Sequence, residues 1–87
     1  MSVSWRDKAF ADFCHWYETD KKTAKRIHAL VLDIQRNGPH KGIGKPEKLK
    51  YQDNEYSRRI DEYNRLIYTK DDKGALLIIS CKGHYED

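Results

Sequence analysis

The chain predicts an α+β fold, with two N-terminal helices packed on a mainly antiparallel, twisted sheet of about four to five strands. Three observations carry this expectation. Apolar residues recur at helical spacing up to Gly38, and the period changes to two from Glu55 onward. Glycine, proline and aspartate mark the points where one segment gives way to the next. At 87 residues, the expectation is one domain over residues 1–87, with one small core.

The elements follow in order. "SVSW" reads as a short strand. Over residues 7–18, Ala9, Phe10, Phe13, Trp16 and Tyr17 fall at helical spacing. Asp20 reads as the N-cap of a second helix, whose inner face carries Ala24, Ile27, Leu30, Val31 and Ile34 and whose outer face is rich in lysine. Gly38 and Pro39 end it in the usual order, glycine past the end and proline beyond. The turn between the helices is so short that they must lie nearly antiparallel.

"HKGIGKPEKLKYQDN" has no periodicity and reads as a loop, with a short strand at residues 48–51. In "EYSRRIDEYNRLIYTK", Tyr56, Arg58 and Ile60 share one face of a strand, with Ser57, Arg59 and Asp61 on the other. "NRLIYTK" is the next strand, and "KDDKG" before Ala75 is a hairpin turn. "ALLIIS" is apolar on both faces and is expected in the centre of the sheet. There are no repeats, linkers or low-complexity segments.

Composition limits the kind of site. Hydrophobic residues make up 38% and charged residues 36% of the chain. Such a core leaves no room for a deep enclosed pocket, so a ligand is expected to lie across a surface. The net charge of +3 is small, and its distribution says more. Residues 36–50 hold Arg36, Lys41, Lys45, Lys48, Lys50 and His40 against one acid, Glu47. Lys21, Lys22, Lys25 and Arg26 form a second cluster. Such clusters suit a polyanion such as RNA, DNA or an acidic protein segment. On charge alone, a solvated lysine-rich surface is an equally good account.

The cysteines are Cys14 and Cys81, the N-terminus has no signal-peptide pattern, and no apolar run approaches a membrane span of ~20 residues. A cytoplasmic protein with reduced thiols and no membrane association is expected. Cys14-His15 with Cys81-x-x-His84 lacks the usual spacing of a zinc site. A Cys81–His84 nucleophilic dyad lacks an orienting group. His28, beside Ile27, reads as structural.

A more coherent set remains. Glu47 sits alone among lysines, Arg58, Arg59 and Arg65 fall on adjacent strands, and His84 and Tyr85 follow the last strand. If the two strands pair as a hairpin, at least two of the guanidinium groups share a sheet face. A carboxylate base, a guanidinium and a histidine acid suffice for phosphodiester cleavage without a metal or other cofactor. The base takes the ribose 2′-hydroxyl proton, arginine stabilises the charge growing on the phosphorane, and histidine protonates the leaving 5′-oxygen. Each member also has a plainer account: a surface charge for Glu47, ion pairs with Asp61 or Glu62 for the arginines, an inert chain end for His84.

The motifs "ETDKK", "GKPEKLK", "YSRRIDEYNRLIY" and "CKGHY" together resemble the YoeB/Txe-type toxins of the RelE/ParE superfamily, over nearly the whole chain and in the same order. The resemblance implies a microbial-ribonuclease-like fold and a toxin of a type II toxin–antitoxin system. Its activity would be ribosome-dependent endoribonuclease cleavage of mRNA in the A site of the 70S ribosome, inhibiting translation. By motif, Glu47 is then the general base, Arg65 the transition-state arginine and His84 the general acid, with Tyr85 positioning or stacking on RNA. Arg59, Arg58, Lys50 and Lys45 would hold the RNA backbone or ribosomal RNA. A cognate antitoxin is the implied protein partner, with an acidic, partly disordered binding segment that folds on contact. The family also contains homodimers.

Two departures stand out. The family pattern finishes on His-Tyr, whereas Glu86 and Asp87 follow here, and Tyr56 stands where tryptophan is common. The rival readings on the same fold are a non-nucleolytic toxin of the gyrase-poisoning type and a module that only binds RNA or protein.

Overall fold

A computed structural model of the chain describes residues 2–50 and 54–83. Strand β1 (Val3–Trp5) leads into helices α1 (Asp7–Thr19) and α2 (Lys21–Asn37). Strands β2 (Glu47–Lys48), β3 (Glu55–Arg59), β4 (Arg65–Lys70) and β5 (Leu76–Ser80) follow. They form one five-stranded sheet in the order β1-β5-β4-β3-β2, in which only the β1–β5 pair is parallel. The expected α+β architecture is therefore present, as a mixed sheet.

The helix signals act as their chemistry requires. The Asp20 carboxylate accepts from Thr23 N–H at 3.3 Å and from Thr23 Oγ1 at 2.8 Å, capping α2. These Thr23 bonds hold the Asp20 carboxyl below its ordinary value. Gly38, at φ +87°, closes the helix with its N–H on the Ile34 carbonyl at 2.8 Å. All five residues of the predicted inner face are buried, and Ile27, Leu30, Val31 and Ile34 share the core with Leu66, Tyr68, Leu76 and Ile78 from the sheet.

Two strand expectations need correction. The short strand lies at Glu47–Lys48 rather than at residues 48–51, and Tyr51 is outside the described residues. Leu49 N–H still reaches the Glu55 carbonyl at 2.9 Å, and Asn54, at φ +62°, leads into β3. "ALLIIS" forms an interior strand, but β4 is the middle one. β1 pairs along the outer edge of β5, Leu76 and Ile78 face the core shared with the helices and are fully buried, and Leu77 and Ile79 are half-buried.

Candidate active site

Strand register decides which candidates meet. In β3–β4, Arg59 lies directly across from Arg65, and in β2–β3, Glu47 lies across from Ser57. Directly paired residues share a face, as do residues two apart on one strand. Glu47, Ser57, Arg59 and Arg65 therefore project from the sheet face opposite the helices. Glu47 is diagonal to Arg59, a relation that separates Cβ atoms by roughly 7–8 Å.

The two arginines are like charges placed opposite one another, an unfavourable arrangement unless an anion lies between them. Among the described residues no carboxylate pairs with either. Asp61 is occupied elsewhere: its Oδ1 accepts from Tyr63 N–H at 2.8 Å and Asn64 N–H at 2.7 Å, closing the β3–β4 turn. Arg65 Nη1 instead donates to the Asp61 carbonyl at 2.8 Å and the Asn64 carbonyl at 3.2 Å. That leaves its other nitrogens without a described partner. The ion pairs with Asp61 or Glu62 that would make these arginines ordinary are not formed.

Arg58 corrects the expectation that it grips RNA. It is fully buried on the helix-facing side of β3. Its Nε donates to Tyr68 Oη at 3.0 Å, and its Nη2 to the carbonyls of Gly38 at 2.9 Å and Lys41 at 2.6 Å. Its Nη1 donates to the Ile43 carbonyl at 3.1 Å and forms an ion pair with Asp33. Strand alternation sends Arg58 inward and Arg59 outward, so no donor of Arg58 is left for a phosphate.

This network shapes the loop that delivers Glu47. Asp33 also accepts from Ile43 N–H at 3.1 Å, and the Arg58 hydrogen bond, above all, holds its carboxyl below the ordinary range. Tyr68 donates to the Pro39 carbonyl at 2.7 Å, and burial pushes its phenol up, which keeps that proton in place. A Cβ on Gly42 would lie 1.7 Å from Asp33 Oδ2, and one on Gly44 would lie 2.8 Å from Leu30 Cδ2. Gly44 then accepts from Arg59 N–H at 2.7 Å. Lys45 turns the chain at φ +52° into Pro46 and β2. Lys45, Glu47 and Lys50 are exposed at this end of the sheet.

At the other flank, Arg65 N–H donates to the Gly83 carbonyl at 3.0 Å, and Gly83 N–H donates to Asn64 Oδ1 at 2.9 Å. His84 and Tyr85 come next in the chain and lie outside the described residues, as do Glu86 and Asp87. Cys81 is inert: burial, reinforced by the Asp12 carboxylate, pushes its thiol up to about 12. Among the described residues no three His, Cys, Asp or Glu side chains are grouped as metal ligands, and no helix is long and apolar enough to cross a membrane. His28, expected to pack, is exposed.

Sequence reasoning missed Asp33, Tyr68, Gly42 and Gly44. A signal for them existed. Asp33 interrupts the apolar stripe of Leu30, Val31 and Ile34, and an acid there calls for a buried partner.

Comparison with known proteins shows what family this fold belongs to. The family model for the YoeB-like toxin of bacterial type II toxin–antitoxin systems matches residues 5–85. The toxin YoeB of Streptomyces coelicolor is 43% identical over 86 residues, covering 98% of this chain and 100% of the relative. The toxin YoeB of Escherichia coli K12 is 42% identical with the same coverage. Among solved structures, the Staphylococcus aureus YoeB dimer superposes with a TM-score of 0.90 at 44% identity, covering 98% of both chains. The toxin in the heterotetrameric YoeB–YefM complex of the same organism gives 0.88 at 45% identity, again with 98% of both chains covered. With the family model matching all but the extreme ends of the chain, this protein belongs to the YoeB-like toxins of bacterial type II toxin–antitoxin systems.

Proposed function

We propose that the chain is a ribosome-dependent endoribonuclease that cuts mRNA in the A site and so inhibits translation. The carrying observation is the Arg59–Arg65 pair, without a described counter-ion, on the same sheet face as Glu47. A phosphodiester between the two guanidinium groups would relieve their repulsion. Arg65 then stabilises the phosphorane, and its charge is most effective where water is displaced by RNA.

Glu47 takes the proton of the 2′-hydroxyl, and that oxygen attacks the adjacent phosphorus. His84 protonates the departing 5′-oxygen, leaving a 2′,3′-cyclic phosphate and a 5′-hydroxyl. The Gly83–Arg65 bond supports this assignment, since His84 is the residue that follows Gly83. Tyr85 positions or stacks on the base. Arg59, Lys45 and Lys50 hold RNA or ribosomal RNA backbone. The chemistry uses no cofactor, and its substrate puts the toxin in the cytoplasm.

Its protein partner is a cognate antitoxin, in line with the YoeB–YefM complex of S. aureus. The S. aureus YoeB dimer supports a homodimer as well. Primer extension on mRNA programmed into 70S ribosomes tests the reading. Wild type should cut within the A-site codon, and Glu47→Ala and Arg65→Ala should bind ribosomes but lose the cut. Growth arrest and ribosome binding without any cut by wild type would instead favour a non-nucleolytic toxin.

A further inference from the structure

The register that brings Glu47, Arg59 and Arg65 to one sheet face places another polar side chain among them. Ser57 lies directly across from Glu47 on β2 and from Ile67 on β4, and it precedes Arg59 by two positions on its own strand. Direct pairing sets the Ser57 and Glu47 Cβ atoms about 4.5–5.5 Å apart, and it puts Arg65 on the Ser57 diagonal. Ser57 is therefore the point on the face between the proposed base and the arginine pair.

Its hydroxyl is held in the sheet yet left free. Ser57 is only 9% exposed, and Ile67 beside it is 2% exposed. The hydroxyls of Thr19, Thr23 and Thr69 all donate to nearby oxygens. That of Ser57 forms no hydrogen bond with the described residues, and no fully enclosed side-chain polar atom among them lacks a partner. The Ser57 hydroxyl thus opens onto the surface, over an apolar floor that strengthens any bond it makes.

Glu47 needs such a donor. On its diagonals stand Glu55, which repels the carboxylate, and Arg59, which attracts it. Left to charge alone, the base would be drawn onto a guanidinium that the phosphate requires. RNA also displaces the water that solvates Glu47 in the open site, and a carboxylate closed off from water is costly without a hydrogen-bond donor. With both arginines on the phosphate, the neutral hydroxyl directly opposite is free to serve.

We propose that Ser57 is a positioning residue for Glu47: when RNA covers the face, its hydroxyl donates to one carboxylate oxygen and leaves the other to take the 2′-hydroxyl proton. The inference rests on the reading of Glu47 as the general base.

The test is single-turnover cleavage of A-site mRNA with ribosomes in excess. Ser57→Ala, Ser57→Thr and Ser57→Val are each made in the wild-type and the Glu47→Ala backgrounds. Threonine and valine have nearly the same shape and only threonine keeps the hydroxyl, so any crowding against Ile67 is common to both. Ser57→Ala should slow cleavage by about 10- to 100-fold, with the half-saturating ribosome concentration unchanged. Ser57→Thr should cleave about tenfold faster than Ser57→Val.

In the Glu47→Ala background the same substitutions should change the residual rate by less than about twofold, because no carboxylate remains to be oriented. Losses of full size there, or equal rates for Ser57→Thr and Ser57→Val, overturn the proposal: the serine would then act on packing or on the phosphate. So does wild-type cleavage by Ser57→Ala while Glu47→Ala is impaired. A wild-type rate in Glu47→Ala itself overturns the base assignment, and the Ser57 proposal with it. Melting curves accompany each variant, and if the larger side chains unfold the sheet at the assay temperature, Ser57→Ala in the two backgrounds carries the test.

Discussion

The loop that delivers Glu47 and the segment that leads to His84 flank the Arg59–Arg65 pair, and each is tied to one arginine's backbone. Gly44 accepts from Arg59 N–H at 2.7 Å, and Gly83 accepts from Arg65 N–H at 3.0 Å. Behind those two bonds the chemistry differs. The Glu47 side rests on a buried guanidinium, a carboxylate and a phenol, all engaged at once. The terminal side rests on single side-chain bonds to peptide groups, two of them from the exposed Lys8 and the half-buried Asn64.

A buried, mutually satisfied network opens only with the fold, whereas isolated side-chain–backbone bonds, each worth about 0.5–1.5 kcal/mol, can open locally. The Glu47 loop is therefore held in place by the core, and residues 81–83 are held by a strap.

The largest expected effect is chemical. Glu47→Ala should reduce cleavage by about 10²- to 10⁴-fold while leaving the melting temperature almost unchanged, since the Glu47 side chain is exposed and forms no hydrogen bond or ion pair with described residues. Loss of both together would mean the residue is structural.

Arg58→Leu should act the other way, through stability. Removing one partner of a buried ion pair costs about 3–5 kcal/mol. For a domain of this size that lowers Tm by more than about 12 °C. A melting temperature equal to wild type would contradict the network as the anchor of the Glu47 loop.

Glycines on the two sides sharpen the contrast. Gly42 sits at φ +123° with a prospective Cβ 1.7 Å from Asp33 Oδ2, whereas Gly83, at φ +97°, has nothing within 4 Å among the described residues. Gly42→Ala should destabilise by about 1–3 kcal/mol, and Gly83→Ala by clearly less. Urea melts of the two variants decide the order.

Acid should loosen the Glu47 side through Asp33. Its carboxyl is held below the ordinary 3.8, chiefly by the Arg58 hydrogen bond. Its contribution is complete above the ordinary range and lost as pH falls through it toward the native value. Between roughly pH 4 and 2, wild type should lose stability more steeply than Asp33→Asn. Parallel urea midpoints over that range would remove Asp33 from the account.

The smallest effect is kinetic. Amide exchange at Gly83 should be faster than at Arg59, although each amide belongs to a bond that ties a flank to the sheet. Equal protection would mean that the two flanks open together.

The elements and the outward-facing set were readable because their signals are local. Asp20 caps α2, and Gly38 ends it, through bonds within four residues. Strand period alone puts Arg59 and Arg58 on opposite faces, yet it does not say which face is covered, so Arg58 read as one more cation. Its true partners lie 10 to 25 residues away on α2, the following loop and β4. The bonds of Trp16 and Asp12 to the Cys81 peptide groups span 65 and 69 residues. No periodicity reports a contact of that range. What the sequence could offer was an acid, Asp12 or Asp33, on an otherwise apolar helix side.

The most direct test of the mechanism is a programmed 70S ribosome carrying mRNA with one 2′-deoxynucleotide on the 5′ side of the scissile phosphate. If Glu47 activates the 2′-hydroxyl, this substitution abolishes the cut, and unmodified mRNA yields fragments ending in a 2′,3′-cyclic phosphate, read by mass spectrometry. Cleavage of the deoxy-substituted message, or fragments ending in a 3′-hydroxyl with a 5′-phosphate on the partner, would mean that water attacks and that Glu47, Arg65 and His84 do not have the roles assigned to them.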